Sequence, residues 1–497
     1  MSAGQEFADE GEAGGAIGPR VGRSKLVNRR RVIVLGGGLA GIAAALNCAD
    51  AGAEVTLLEV RPRLGGAAYS FERDGLWLDN GQHVFLRCCT AYRSLLERLG
   101  SGARVRIQPR LEIPVLCPGA KPRMLRRSGL PAPLHLAGAL LRYGHLSPAG
   151  RLSAGRAALA LGRLEVADAP ARARLDERTL GQWLAEHGQD EGDVAALWDL
   201  IALPTLNLPA AEGSLALGAF VLQTGLLYSK AAGDIGFHLR PLQETLGDPA
   251  ERALRRASVE VRLGVRAEAV ERIGIDRIDR LGGRDRSDAE ILPASGPEAR
   301  SRTGRLRVRA GGEELFAESV ICALPHERAG TLLEPLLGAR AQRWGGLGAS
   351  PIVNVHVVFD RRVCEWDFAA GVGTPVQYLF DRGDAAGLSG DGQYLAISLS
   401  GASAEMGVAG EELGERYVEA LRELLPAARA AKVRKVHVSR EHAATFAPRP
   451  GTGGLRPGAR TEVEGLVLAG AWTDTGWPAT LEGAVLSGRA AAEEALR

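Results

Sequence analysis

The chain has 497 residues, 45% hydrophobic and 24% charged, with a net charge of +2; this is a globular composition for two or three domains, and it argues against a nucleic-acid partner held by phosphate neutralisation. No apolar run reaches the roughly 18–20 residues of a membrane-spanning helix, and the N-terminus has no apolar leader core. Six cysteines (Cys48, Cys88, Cys89, Cys117, Cys322, Cys364) show no CxxC pair and no metal-ligand spacing, so no metal site is expected, Cys88-Cys89 reads as two thiols rather than a bridge, and the set fits a reducing cytoplasm.

Residues 1–28 are rich in Gly, Ala and charge without periodicity, and read as a disordered tail. The organising stretch follows, RVIVLGGGLAGIAAALNCADAGAEVTLLEVRPRLGGAA from Arg31 to Ala68. Val32–Leu35 is an apolar run long enough for a buried strand. Ile42–Ala51 is Ala-rich without proline and reads as a helix, and Val55–Leu58 is a second strand closing on Glu59. Gly36, Gly38 and Gly41 stand between strand and helix in the spacing GxGxxG, a βαβ dinucleotide fingerprint. Gly36 allows the tight turn, Gly38 lets the backbone approach a pyrophosphate, and Gly41 lets the helix pack on the strand. Leu39 and Ala40 lie in the turn beside the phosphates, and the free N–H groups and dipole of the helix N-terminus suit them. Glu59 can accept both ribose hydroxyls and would repel a 2′-phosphate.

A second glycine turn lies directly behind that acid, Val60-Arg61-Pro62-Arg63-Leu64-Gly65-Gly66-Ala67. NAD domains need none there. The pattern resembles flavoproteins of the glutathione reductase type, in the amine oxidase and phytoene desaturase branch, which use it to hold the pyrophosphate from the other side. The resemblance implies FAD as cofactor, with Val60, Arg61, Arg63, Leu64, Gly65, Gly66 and Ala67 around it. It also implies an α/β fold, in which a glutathione-reductase-type Rossmann domain is interleaved with an α+β substrate domain and a helical membrane-contacting segment. Ala67 departs from the branch, where an arginine is frequent, and removes one phosphate contact.

Tyr69–Phe71 and Leu76–Leu78 read as strands around an Asp74-Gly75 hairpin turn, and the second runs into Asp79-Asn80-Gly81-Gln82-His83. GGAAYSF, LDNGQHVFL and CCTAYRSLLERLG together resemble the squalene-associated flavoenzymes of hopanoid biosynthesis, the hydroxysqualene dehydroxylases. In this branch the chain after that turn passes beside the flavin ring, which makes His83 and Asp79 candidate acids. A histidine at a strand end is also commonly a structural hydrogen-bonder.

Tyr92–Leu99 reads as an amphipathic helix and Val105–Pro118 as a strand pair. Leu130–Leu164 reads as two helices, with Pro133 in the first turn of one and Ser147-Pro148 capping the next. Leu134, Ala137 and Leu141 share a face, while Leu152 and Leu159 are seven apart, as are Arg156 and Arg163. Such helices suit a membrane surface or an ordinary cap with solvated arginines. The resemblance favours the membrane, because a lipid-soluble substrate must enter from a bilayer, and it implies a cytoplasmic protein on the inner membrane face. Asp176–His187 is a further helix with Asp176 or Thr179 as N-cap. Trp198–Leu208 and Ser214–Leu227 are almost charge-free and carry Pro204 and Pro209 at or between them, so they read as broken helices lining an apolar tunnel or filling a core.

Glu244–Arg256 is a helix, and strands Val259–Leu263 and Arg266–Ile273 return the chain to the cofactor domain. Val265 between them matches the place where the branch holds the adenine, or is a plain connection. Residues 274–303 read as an exposed loop. Strands follow at Arg305–Ala310, Glu314–Ala323, Ile352–Phe359, Val376–Phe380, Tyr394–Ser400 and Val433–Arg440, with a helix at Glu412–Leu425; the later ones form the floor of a substrate domain. Leu466–Ala469 is a strand ending at Gly470, and Val485–Leu496 a helix. The resemblance places this helix N-terminus under the flavin, with Gly470, Ala471, Thr480, Leu481 and Glu482 as contacts. Ala471 departs from the Asp or Glu usual for the ribityl chain, and Asp474 is the candidate substitute and a further candidate acid. The expected division is a cofactor domain from residues 29–115, 233–338 and 451–497, and a substrate domain from 116–232 and 339–450.

The resemblance implies an FAD enzyme acting on a long isoprenoid, reducing hydroxysqualene to squalene. Loss of an allylic hydroxyl leaves a delocalised cation, which needs an acid for the leaving group, a hydride and a dry apolar pocket. The alternative is oxidative desaturation of a carotenoid precursor with the same cofactor. Amine oxidase chemistry lacks an evident aromatic cage in the middle of the chain. A non-enzymatic prenyl-binding protein of the same fold would not need both cofactor motifs. The electron donor is not legible.

Overall fold

The fingerprint stretch forms strand Arg31–Leu35, helix Leu39–Asp50 and strand Glu54–Glu59, in a computed structural model that describes residues 29–273 and 306–497. The expected tail 1–28 and loop 274–303 lie outside the described residues. Five parallel strands make the cofactor sheet, in the order Glu260–Leu263, Glu54–Glu59, Arg31–Leu35, Ser319–Cys322, Leu466–Leu468. They come from three separate parts of the chain, as a doubly wound sheet with inserted domains requires. Their apolar runs are buried on both faces, between the Leu39–Asp50 and Leu481–Ala495 helices on one side and the strands Ala267–Arg272, Leu306–Ala310 and Glu313–Ala317 on the other. The fold is the α/β Rossmann type expected, interleaved with an α+β domain.

That second domain is built on a seven-stranded sheet in the order Val433–Thr445, Ser350–Phe359, Gln393–Ser400, Tyr378–Asp381, Phe368–Gly371, Glu112–Leu116, Arg123–Arg126. The strand Ser350–Phe359 explains its two faces, because successive side chains alternate. Val353, Val355 and Val357 pack under the helix Gly410–Leu424 against Leu413, Tyr417 and Leu421. Ile352, Asn354 and His356 face the other way, opposite Glu441, Ser439 and His437 of the neighbouring strand. This polar face docks on the cofactor domain: Asn354 Nδ2 donates to the Asn80 carbonyl at 2.8 Å.

Two sequence expectations need correction here. Val105–Pro118 is not a strand pair. Val105–Ile107 pairs with Ile235–His238, whereas Glu112–Leu116 pairs with Arg123–Arg126 in the large sheet. The two part beside the buried Asp234, which is bridged by Arg87 at 2.9 Å and Arg127 at 2.6 Å. The strand expected over Glu314–Ala323 is two, Glu313–Ala317 in a meander and Ser319–Cys322 in the cofactor sheet. Elsewhere local signals held. Asp74 and Gly75 turn the hairpin Ser70–Arg73 to Leu76–Asp79 with positive φ; Ser147 Oγ caps Pro148–Leu161; Thr179, not Asp176, caps Leu180–Glu186 in a reciprocal capping box.

Candidate active site

The two glycine turns stack on one another. Gly65 N–H donates to the Gly37 carbonyl at 2.9 Å, and Gly38 and Gly65 form a bridge. Gly36 has φ +106°, and a Cβ there would stand 2.7 Å from the Ala323 carbonyl oxygen, so the turn admits only glycine. A Cβ on Gly41 would lie 1.9 Å from the Gly36 oxygen, which is the close helix–strand contact expected of it. Leu64 is buried behind the turn, filling the space beside Gly37.

Gly38, Leu39 and Ala40 line a cavity, and a Cβ on Gly38 would meet nothing nearer than Gly66 Cα at 3.7 Å. The first intrahelical bond is Ile42 N–H to the Gly38 carbonyl, so the amides before it are available to an anion. Glu59 is buried and lines the same cavity. Its Oε2 accepts from Gly37 N–H at 2.6 Å and its Oε1 from Arg61 N–H at 2.8 Å. Each oxygen keeps a lone pair for a ribose hydroxyl. Val60, Arg61, Gly65, Gly66, Ala67 and Val265 share the cavity wall, and Val265 N–H donates to the Glu59 carbonyl. Arg63 stacks 3.6 Å over the Tyr69 ring and leaves Nη2 buried without a hydrogen-bond partner. An open glycine cradle, an acid with free lone pairs and a guanidinium with one unpartnered nitrogen, Arg63 Nη2, fit an adenine dinucleotide.

At the other end of the chain, Gly470, Ala471, Thr480, Leu481 and Glu482 also reach the cavity. Thr480 Oγ1 caps the helix Leu481–Ala495 by accepting from Gly483 N–H at 3.1 Å. Two expected contacts are corrected. The Glu482 carboxylate turns to the helix Thr90–Leu99, accepting from Ala91 N–H at 2.9 Å and Tyr92 N–H at 2.7 Å. An acid beside a neighbouring helix N-terminus is drawn to its free donors, so Glu482 positions that helix instead of holding the flavin with its side chain. Asp474 points away, bridging Arg172 at 3.1 Å outside the cavity wall; it does not replace the acid missing at Ala471. The sequence missed Arg456. It is buried and donates to the carbonyls of Ala471, Trp472, Thr473 and Trp477, clamping the loop that enters the flavin-side helix. Burial lowers its pKa to about 10, so it remains charged.

The cavity is continuous from these turns into an apolar chamber, 1660 Å³ in all, more than one drug-sized ligand occupies. The charge-free helices Asp199–Leu206 and Leu215–Leu222 wall it with Leu200, Ile201, Pro204, Phe220, Val221 and Leu222. Phe368, Tyr378 and Phe380 add a stacked aromatic face, with centroids 6.0–6.5 Å apart. No local pattern announces it, since the rings come from two strands paired across the sheet.

His83 reaches the chamber, and its Nδ1 lies 2.9 Å from the Gly81 carbonyl. Burial lowers its pKa and outweighs the pull of that carbonyl and of Asp79 and Glu441. The ring is therefore neutral at pH 7, with Nδ1–H donated to Gly81 and Nε2 left as an acceptor. This corrects the expectation of a proton-donating His83. Asp79 is corrected too. It is buried, accepts from Ser70 Oγ at 2.6 Å and Leu242 N–H at 3.0 Å, and pairs with Arg382 at 2.8 Å. So engaged, the side chain pins the hairpin and lies outside the chamber wall.

A family model of flavin-containing amine oxidoreductases matches residues 39–496. The hydroxysqualene dehydroxylase of Rhodopseudomonas palustris is 28% identical over 484 residues, covering 93% of this chain and 98% of that protein. The 15-cis-phytoene desaturase of Narcissus pseudonarcissus is 26% identical, covering 93% of this chain and 78% of that one. Among solved structures, cyclohexylamine oxidase from Brevibacterium oxydans superposes with a TM-score of 0.65 at 17% identity, over 94% of this chain and all of that one, a likeness of fold.

Proposed function

The chain belongs to the flavin-containing amine oxidoreductase family, and from that premise we propose that it reduces hydroxysqualene to squalene. It is an oxidoreductase, and its cofactor is FAD. One observation carries the substrate reading: the cofactor cradle opens without a break into a long chamber walled by apolar and aromatic side chains. Each buried CH₂ of an isoprenoid contributes about 0.8 kcal/mol in such a wall, so a hydrocarbon is held with few polar contacts.

When bound and reduced, FAD supplies a hydride to an electron-poor carbon. The chain's own residues do the rest. Gly38, Gly66, Glu59 and the two helix N-termini hold the dinucleotide. The chamber excludes water from an allylic cation. Phe368, Tyr378 and Phe380 line the same chamber with aromatic surface beside that cation.

The proposal includes a membrane surface as the source of substrate. Leu134, Leu141, Leu152 and Leu159 are all more than half exposed, on the segments Leu134–Leu136, Ala137–Arg142 and Pro148–Leu161. On the inward side of the same segments, Leu136, Leu140, Ala154 and Ala158 line the chamber. Among the described residues no helix is long and apolar enough to cross a membrane, so the contact is peripheral.

The test is anaerobic. Chemically reduced protein is mixed with hydroxysqualene, flavin reoxidation is followed in the visible band, and product is identified by mass. Squalene formed in step with reoxidation supports the proposal. Bound flavin with no squalene, and turnover of a carotenoid precursor by the oxidised protein, would give the site to desaturation instead.

A further inference from the structure

The departing hydroxyl needs a proton, and of the three candidate acids in the sequence His83 is held neutral by burial while Asp79 and Asp474 lie outside the chamber wall. The chamber contains a different carboxyl. Glu441 lies on the strand Val433–Thr445, directly opposite Ile352, on the face turned to the cofactor domain. It lines the cavity with Ile352, Ser398 and Ser400 of the same sheet. Across the chamber Tyr69, three residues after Gly66, donates its hydroxyl to Glu441 Oε1 at 2.9 Å. The Tyr69 ring is in turn held by the Arg63 guanidinium, and Gly81, Gln82 and His83 line the same cavity as Glu441.

Three of the other acids on the cavity wall are committed elsewhere. Glu59 is held by the amides of Gly37 and Arg61, Glu482 by those of Ala91 and Tyr92, and Glu271 by Arg307. Glu268 and Glu327 stand on the strand Ala267–Arg272 and the helix His326–Leu337 of the cofactor domain. Glu441 alone comes from the substrate sheet.

We propose that Glu441 is the acid that protonates the departing hydroxyl, and that Tyr69 is the positioning residue that holds its carboxyl. The inference rests on the dehydroxylase reading. The proton passes from the Glu441 carboxyl to the substrate oxygen. The C–O bond breaks with its electron pair on oxygen, which leaves as water. The carbon takes the hydride, two electrons and one proton, that the reduced flavin carries. Glu441 is left as a carboxylate beside the developing cation, where its charge is favourable, and it recovers a proton from solvent.

The experiment uses holoenzyme of wild type, Glu441→Gln and Tyr69→Phe, with hydroxysqualene and with its acetate ester, whose leaving group departs without protonation. Flavin content, melting temperature and the dissociation constant for hydroxysqualene are measured beside single-turnover rates. Glu441→Gln is expected to match wild type in flavin content and melting, bind within twofold, slow the alcohol by about 10²–10³-fold, and slow the ester by less than threefold. Tyr69→Phe is expected to slow the alcohol about tenfold and spare the ester. Equal slowing of alcohol and ester, or no slowing of either, overturns the proposal. A wild type inert on both compounds overturns the dehydroxylase reading itself, and the proposal with it.

Discussion

Gly488 of the C-terminal helix lies so close to Ala40 of the fingerprint helix that a Cβ built on it would stand 2.2 Å from the Ala40 carbonyl oxygen and 2.9 Å from Ala43 Cβ. The two helices whose N-termini face the cofactor thus cross at a glycine, and their spacing sets the cradle. Gly488→Ala is expected to force them apart, at about 1–3 kcal/mol of stability, and to weaken FAD retention. Denaturation midpoint and flavin-to-protein absorbance ratio after gel filtration check this; a fully loaded variant of wild-type stability would contradict it.

Arg456 serves the same end from the other side. Its guanidinium donates to four carbonyls of the loop 471–477. Arg456→Met keeps much of the volume and leaves those acceptors buried and unpaired, at about 1–3 kcal/mol for each one that water cannot reach. Loss of flavin on dilution, at least tenfold greater than in wild type, is the expected readout. Arg456→Lys should recover only part of it, since an ammonium lacks the planar fork.

Stability should fall on mild acidification. Burial holds His238 and His356 neutral, each with a pKa near about 3, against an ordinary value of 6.5. The unfolded chain takes up these protons below about 6.5 and the folded chain does not. Their contribution is therefore complete above that pH and is lost as pH falls toward about 3, with a slope near 1.4 kcal/mol per pH unit for each histidine. Urea midpoints at pH 7 and pH 5 measure it. His356→Gln should reduce the slope by one proton, and a midpoint that does not move would refute the assignment.

The parts legible in the sequence are those made by neighbours in the chain. The GxGxxG turn and the Asp74-Gly75 hairpin each lie within a few residues and formed where expected, and of the two N-caps offered, Asp176 and Thr179, the structure takes Thr179. What stayed hidden joins distant segments. Tyr69 meets Glu441 across 372 positions and Arg382 meets Asp79 across 303. A charged residue inside an alternating strand was the available signal for Glu441, in phase with His437 and Ser439 on the polar face. Glu482 shows the converse. Its place in the first turn was legible, but the nearby N-terminus of Thr90–Leu99, which captures its carboxylate, was not.

The exposed leucines carry the last prediction. Leu152, Arg156, Leu159 and Arg163 follow one another at helical spacing along and just beyond Pro148–Leu161, and all four are exposed. Leucines on such a face gain by entering the acyl boundary, while arginine stems extend their charge to lipid phosphates. Leu141, 70% exposed on the adjoining segment, extends the patch. Replacing Leu141, Leu152 and Leu159 together by glutamate removes the apolar anchor and adds charge repelled by anionic lipid. Each side chain is largely in water, so folding and flavin content should be unchanged. Sedimentation with vesicles of mixed neutral and anionic lipid should fall at least tenfold, and turnover of vesicle-borne substrate should fall with it. Turnover of detergent-dispersed substrate should be retained, because the chamber wall formed by Leu136, Leu140 and Ala154 is untouched. Vesicle binding equal to wild type would show that these helices are a cap over the chamber and that substrate enters elsewhere.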